Sequence, residues 1–175
     1  VNNLIIVGAM ANNFFVYKNY KVGKSLIEEN TNEIITKMYE KANKNKCKIL
    51  IPEDCMVGSS FDSFGINKDS NAIEDNDIIL DIGPKTITNI KNIIDRSNTV
   101  LWNGPAGYFE NENFMIGTMS IAENISKNTL KKSLISILGG GDTLAAINKS
   151  KKKFSFTHLS TAGGAFLEYI EGKDL

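Results

Sequence analysis

The chain has 175 residues, 42% hydrophobic and 23% charged: enough apolar material for one domain with a core, and too little length to assume two. Lys and Arg total 20 and so do Asp and Glu, so the net charge is zero and no basic footprint for nucleic acid or an anionic membrane stands out. Arg96 is the only arginine, which leaves almost no means of building forked guanidinium clamps on phosphate.

The start, "VNNLIIVGAM", has no basic leader region and no initiator methionine. The expectation is a soluble cytoplasmic chain that begins in mid-sequence, since no apolar run approaches the ~18 residues of a membrane span. "LIIVGAM" from Leu4 is the first of six short apolar runs. The others are "KILIPED" from Lys48, "IILDIGP" from Ile78, "TVLWNGPAG" from Thr99, "LISILGGGD" from Leu134 and "FTHLSTAGG" from Phe156. Each lacks polar alternation, as strands covered on both faces do in a parallel sheet.

"KVGKS" ends like a phosphate-binding loop, but Lys18 stands where G-x-x-x-x-G-K-S needs its first glycine, and the motif is rejected. "TNEIITKMYEKANKN" predicts a helix with Ile34, Ile35, Met38, Tyr39 and Ala42 on one face. Cys47 and Cys55 form no C-x-x-C, and with His158 the single histidine they speak against zinc and for reduced thiols. Val57 to Asp77 breaks the alternation and reads as an extra antiparallel strand or surface loop. "PKTITNIKNIIDRS" predicts a helix opened by Pro84 with Ile87, Ile90, Ile93 and Ile94 on one side. "GTMSIAENISKN" predicts another through Met119, Ile121, Ala122 and Ile125. Strand and helix in alternation give an α/β fold with right-handed crossovers. Ligands of such folds gather beyond the carboxyl ends of the strands, where "GAM", "PED", "GP", "NGPAG", "GGGD" and "STAGG" would converge.

Gly139, Gly140 and Gly141 run directly into Asp142 and Thr143 and the helical stretch "DTLAAINKS". G-x-G-x-x-G fails because Leu144 takes its last position, which disfavours a dinucleotide reader. Bare amides at a helix start form an anion site backed by the helix dipole. Asp142 can be a plain N-cap, worth ~1 kcal/mol, or a hard oxygen ligand for Mg²⁺. Thr143 can donate to phosphate in either case. Trp102 reads as core, Asn103 as a turn cap or a ligand contact, and Glu110 as an acceptor for ribose hydroxyls. "KSKKK" from Lys149 reads as a solvated helix end.

"LWNGPAGYFE", "GGGDTLAA" and "HLSTAGGAFLEYIEGK", in this order, resemble the C-terminal, nucleotide-binding half of the phosphoglycerate kinases, and "LIIVGAMANNFF", "GKSLIEE" and "LDIGPKT" match the same family upstream. The resemblance covers essentially the whole chain. It implies a Rossmann-like three-layer α/β domain with a mostly parallel sheet, truncated at both ends. Residues 1–175 would be part of the nucleotide-binding domain, with the glycerate-binding N-terminal domain absent. The family transfers a phosphoryl group between 1,3-bisphosphoglycerate and MgADP, giving 3-phosphoglycerate and ATP. By similarity, Gly8 and Leu80 line the adenine pocket, Asn103 lies near the phosphates and Glu110 takes the ribose hydroxyls. Asp142 would hold Mg²⁺, Thr143 with the amides of Gly140 and Gly141 would hold the nucleotide phosphates, and Gly139 would belong to the same nucleotide-binding turn. Amides of Gly141 and Gly164 would face the transferring group, and His158 resembles a hinge residue. Val7 and Ala9 stand where the family carries glycines, and Ala162 where Ser-Thr-Gly-Gly-Gly has its first. The family's Gly-Gly-Ala-Lys segment belongs just before Val1, so these residues alone are not expected to turn over. A non-catalytic nucleotide-binding remnant is the alternative. A monomer is expected, with no nucleic-acid or membrane partner.

Overall fold

A computed structural model describes residues 1–160, 168 and 171–173. The chain forms two compact units, Val1–Ile87 with Ala106–Gly117 and Thr88–Pro105 with Thr118–Leu175.

In the first unit β1 (Asn3–Ile5) is followed by α1 (Ala9–Tyr17) and α2 (Asn32–Lys44), and β2 (Lys48–Leu50) then pairs parallel to β1, with Asn3 opposite Lys48 and Ile5 opposite Leu50. A parallel pair needs such a crossover connection, and the helices supply it. On α2, Ile35 and Ala42 are buried, with Met38 and Tyr39 packed at the core's margin. Ile34, at the edge of the predicted stripe, is 59% exposed. Phe14 and Phe15 of α1 anchor this core with Ile6, Ala11, Val22, Cys55, Val57 and Ile73. Burial of a side chain of that size stabilises by about 1.5–3 kcal/mol. The Cys55 thiol is pushed up to about 12 by the same burial, so no thiolate chemistry resides there.

The next strands are β3 (Asp54–Gly58), β4 (Ile66–Asp69) and β5 (Ile78–Ile82), which form an antiparallel sheet with β3 in the middle. The predicted irregular stretch Val57 to Asp77 thus contains an antiparallel strand, β4. Ile78–Ile82, expected among the parallel strands, runs antiparallel to β3 instead. No helix lies between β3 and β5 to carry a parallel crossover, and turns around β4 make the connection. Gly23, Lys24 and Ser25 occupy a turn whose Ser25 hydroxyl accepts Ile79 N–H, and no helix starts directly from it, in keeping with the rejected phosphate loop.

After β5 comes α3 (Pro84–Asp95), opened by proline at its first position as predicted. Its N-terminus is capped from a distance. The Asp54 carboxylate on β3 accepts Lys85 N–H at 3.1 Å, Thr86 N–H at 2.9 Å and the Thr86 hydroxyl at 2.8 Å. Ile90 and Ile94 are buried, and Ile87 and Ile93 half-buried.

The second unit holds β6 (Thr99–Asn103), α4 (Ile116–Leu130, from its third residue onward), β7 (Ile135–Gly139), α5 (Gly141–Lys149) and β8 (His158–Ser160). The strands are parallel with β7 central, which is the expected alternation. Met119, Ile121, Ala122 and Ile125 of α4 are all buried, as their spacing predicts. No helix among the described residues is long and apolar enough to cross a membrane.

Candidate functional site: a glycine turn at the start of α5

β6 and β7 end in register, Asn103 beside Gly139. From there the chain turns through Gly140, the residue before α5, at φ 97° and ψ 132°. That φ is costly for any residue with a Cβ. Space is tight as well: a Cβ on Gly140 would lie 2.7 Å from Asn103 Oδ1 and 3.3 Å from Thr143 Oγ1, so the Asn103 side chain would have to shift. Gly141 differs. A Cβ there would meet nothing within 4 Å, so neither packing nor backbone geometry demands glycine at the first helical position. Its bare Cα leaves open room in front of the first amides of α5, which have no intrahelical partners in any α-helix.

The turn is held by its neighbours. The buried Thr143 hydroxyl accepts Gly104 N–H at 2.7 Å, and Gly104 O accepts Trp102 Nε1–H, also at 2.7 Å. Trp102 is 7% exposed, the core residue anticipated, yet its ring N–H orders the loop after β6. Gly104 itself sits at φ 91°. The Asn-Gly-Pro triplet is a turn signal, and the hydrogen bond from Gly104 to Thr143 is what the structure adds to it.

Asp142 lies exposed in the first turn of α5, one residue inside the helix, and Gly140 takes the N-cap position without a side-chain cap. The plain N-cap alternative for Asp142 is therefore corrected: the carboxylate points its charge at solvent beside the helix's positive end. Among the described residues no group of three or more His, Cys, Asp or Glu stands ready for a metal. A divalent cation here would take Asp142 together with oxygens of the ligand that brings it, the usual habit of Mg²⁺. The open room at Gly141 and the exposed oxygen donor beside it fit such a group.

The second unit therefore brings together Asn103, Gly139, Gly140, Gly141, Asp142 and Thr143. Gly8, Leu80 and Glu110 belong to the first unit. Gly8 precedes α1 at φ 64°. Leu80 is buried in β5, and its carbonyl accepts Tyr108 N–H at 2.6 Å, which ties the strand to the segment that carries the exposed Glu110. Gly164 and Ala162 lie outside the described residues. His158 is exposed at the start of β8, opposite Ile137. Asp81, beside Leu80, went unread in the sequence. Its signal was a carboxylate set between apolar neighbours in a strand: it is 2% exposed, and burial pushes its pKa up to about 7 against two backbone N–H bonds that lower it.

The family model described as phosphoglycerate kinase matches residues 1–173. The phosphoglycerate kinase of Wolbachia pipientis wMel is 44% identical over 100% of this chain and 44% of its own length. That of Agrobacterium fabrum is 42% identical with the same two coverages. The solved phosphoglycerate kinase of Coxiella burnetii superposes with a TM-score of 0.91 at 37% identity, over 99% of this chain and 44% of that one. The Pyrococcus horikoshii enzyme gives 0.75 at 27% identity, over 100% and 44%. This chain thus spans under half the length of the relatives it matches, and across that span it belongs to the phosphoglycerate kinase family.

Proposed function

We propose that residues 1–175 are the nucleotide-binding portion of a phosphoglycerate kinase, a glycolytic enzyme that passes a phosphoryl group between 1,3-bisphosphoglycerate and MgADP to give 3-phosphoglycerate and ATP. The observation that carries the reading is Gly141, a glycine with no local reason to be one, at the mouth of a helix N-terminus. Phosphate oxygens would accept the amides of Gly140 and Gly141 in front of the α5 dipole, a preformed anion site. Gly139 ends the strand that delivers this turn. Asn103 stands close beside Gly140 at the end of the neighbouring strand, near the phosphates, and Thr143 fixes Gly104. Asp142 would hold Mg²⁺, which supplies positive charge to the phosphates. We assign Gly8 and Leu80 to the adenine and Glu110 to the ribose hydroxyls. Gly141 and Gly164 are assigned the transferring group.

Such transfer needs in-line placement and charge neutralisation more than covalent help, and rigid amides supply the first without reorganisation. The glycerate substrates are assigned to the other half of the family's fold. The protein is proposed to act in the cytoplasm as a monomer, without nucleic-acid or membrane partners.

Calorimetric titration with ADP, with and without Mg²⁺, tests the reading. The metal should tighten binding, and Asp142→Ala should cancel that gain with a loss of roughly ten-fold or more, about 1.4 kcal/mol per factor of ten. Metal-independent binding that Asp142→Ala leaves unchanged would remove Asp142 from the site.

A further inference from the structure

Asp81 lies in the interior of β5, and each of its carboxylate oxygens accepts a backbone N–H: Oδ1 from Ile82 at 2.8 Å and Oδ2 from Gly117 at 2.7 Å. Burying a carboxylate on two neutral donors is expensive, and a neutral side chain could take the Gly117 amide at lower cost. The surroundings are nevertheless shaped to it. A Cβ on Gly107 would lie 2.4 Å from Asp81 Oδ1, and one on Gly117 would lie 2.3 Å from the same oxygen. These two glycines bound a segment that carries one 3-10 turn, Glu112–Phe114, and runs into the start of α4 at Ile116.

Leu80 O holds Tyr108 N–H near one end of that segment while Asp81 holds Gly117 N–H at the other. Between them the Tyr108 ring meets Phe61 edge-on at 5.0 Å, and Asn111 Nδ2 donates to Phe61 O at 2.8 Å. Glu110 stands within this doubly anchored stretch. We propose that Asp81 is a positioning residue for the nucleotide's ribose: by holding Gly117 N–H, with Gly107 packed against its carboxylate, it presents the Glu110 carboxylate to the 2′- and 3′-hydroxyls. The inference rests on the assignment of Glu110 made above.

Asp81→Asn keeps the shape but turns one oxygen into an NH₂, so Ile82 or Gly117 N–H must face a donor. The test compares the affinities of ADP and 2′,3′-dideoxy-ADP, both with Mg²⁺, for the native chain and this variant. Hydrogen bonds to a charged group predict about a ten-fold preference for ADP in the native chain. In Asp81→Asn the preference should fall to near one through weaker ADP binding, with the dideoxy affinity unchanged. A purely structural aspartate would weaken both ligands alike, and that outcome, or an unchanged preference, overturns the inference while leaving Glu110 in place. A native chain with no preference for ADP would instead remove Glu110 from the ribose, and this inference with it. Hydrogen exchange on the native chain decides the matter if the variant does not fold. ADP should slow the Tyr108 and Gly117 amides more than the dideoxy ligand does, and equal slowing by the two overturns the inference.

Discussion

Gly140 and Gly141 are neighbours with opposite needs. Gly140→Ala meets a positive φ and an Asn103 oxygen at 2.7 Å, so it should destabilise by about 1–3 kcal/mol. Gly141→Ala meets open space at a helical position, where alanine is the better residue by roughly 0.4–1 kcal/mol. Its melting temperature should hold or rise while MgADP affinity drops, because the new methyl enters the room left for phosphate. A parallel loss of stability and binding would show that the glycine serves packing only. Thr143→Val removes the acceptor for Gly104 N–H at nearly constant volume, leaving a part-buried donor unmatched. Urea midpoints should report a cost of about 1–3 kcal/mol.

At the scale of elements, the folded strands and helices show which sequence signals suffice. The helices α2, α3 and α4 announce themselves because a 3.6-residue period places Ile35, Ile90, Ile94 and Ile125 on single buried faces. Strand direction is harder to read. The apolar run Ile78–Ile82 looks the same whether its neighbour is parallel or antiparallel, and only the connection through β4 decides. β3 escaped notice because it starts on the last residue of "KILIPED", three residues after β2 ends, with nothing but Pro52 as punctuation. Of the site, Asn103, Gly139, Gly140 and Asp142 were legible, since strand ends and helix starts are local. The bond from Thr143 to Gly104 spans 39 positions and the Asp54 cap of α3 spans 31 and 32, and no local pattern encodes either. The Asp54 cap gives an element-scale prediction. Asp54→Ala strips three acceptor contacts from the start of α3 and should cost about 2–3 kcal/mol in chemical denaturation, beyond the ~1 kcal/mol of a surface cap. A cost under half of that would mean that Pro84 and helix packing hold this end without the carboxylate.

For the whole molecule, Asp81 sets a pH dependence with a definite sign. Burial raises its pKa from an ordinary 3.8 to about 7. Between these values the folded chain keeps a proton that the unfolded chain has released, so this group's contribution falls as pH rises from about 4 to about 7 and is flat above. Asp95 works the other way. The amides of Asn124 and Asn128 donate to it and hold its carboxyl below the usual range, so its contribution is lost as pH falls. The Asp95 trend sets in below the ordinary value of 3.8, under the interval over which Asp81 acts, and the difference between native and Asp81→Asn isolates the Asp81 trend. Unfolding free energies measured across this interval should show the native chain losing stability relative to the variant as pH rises. A difference that stays constant with pH would mean that Asp81 titrates as an ordinary carboxylate.

The Gly139–Thr143 turn is proposed to receive nucleotide phosphates on its backbone amides. Amide resonances followed through a titration with MgADP test it most directly. The Gly140, Gly141 and Asp142 signals should move furthest and saturate with one affinity, and Gly141→Ala should abolish the movement while the fold persists. Saturable MgADP binding that leaves these three amides in place would contradict it.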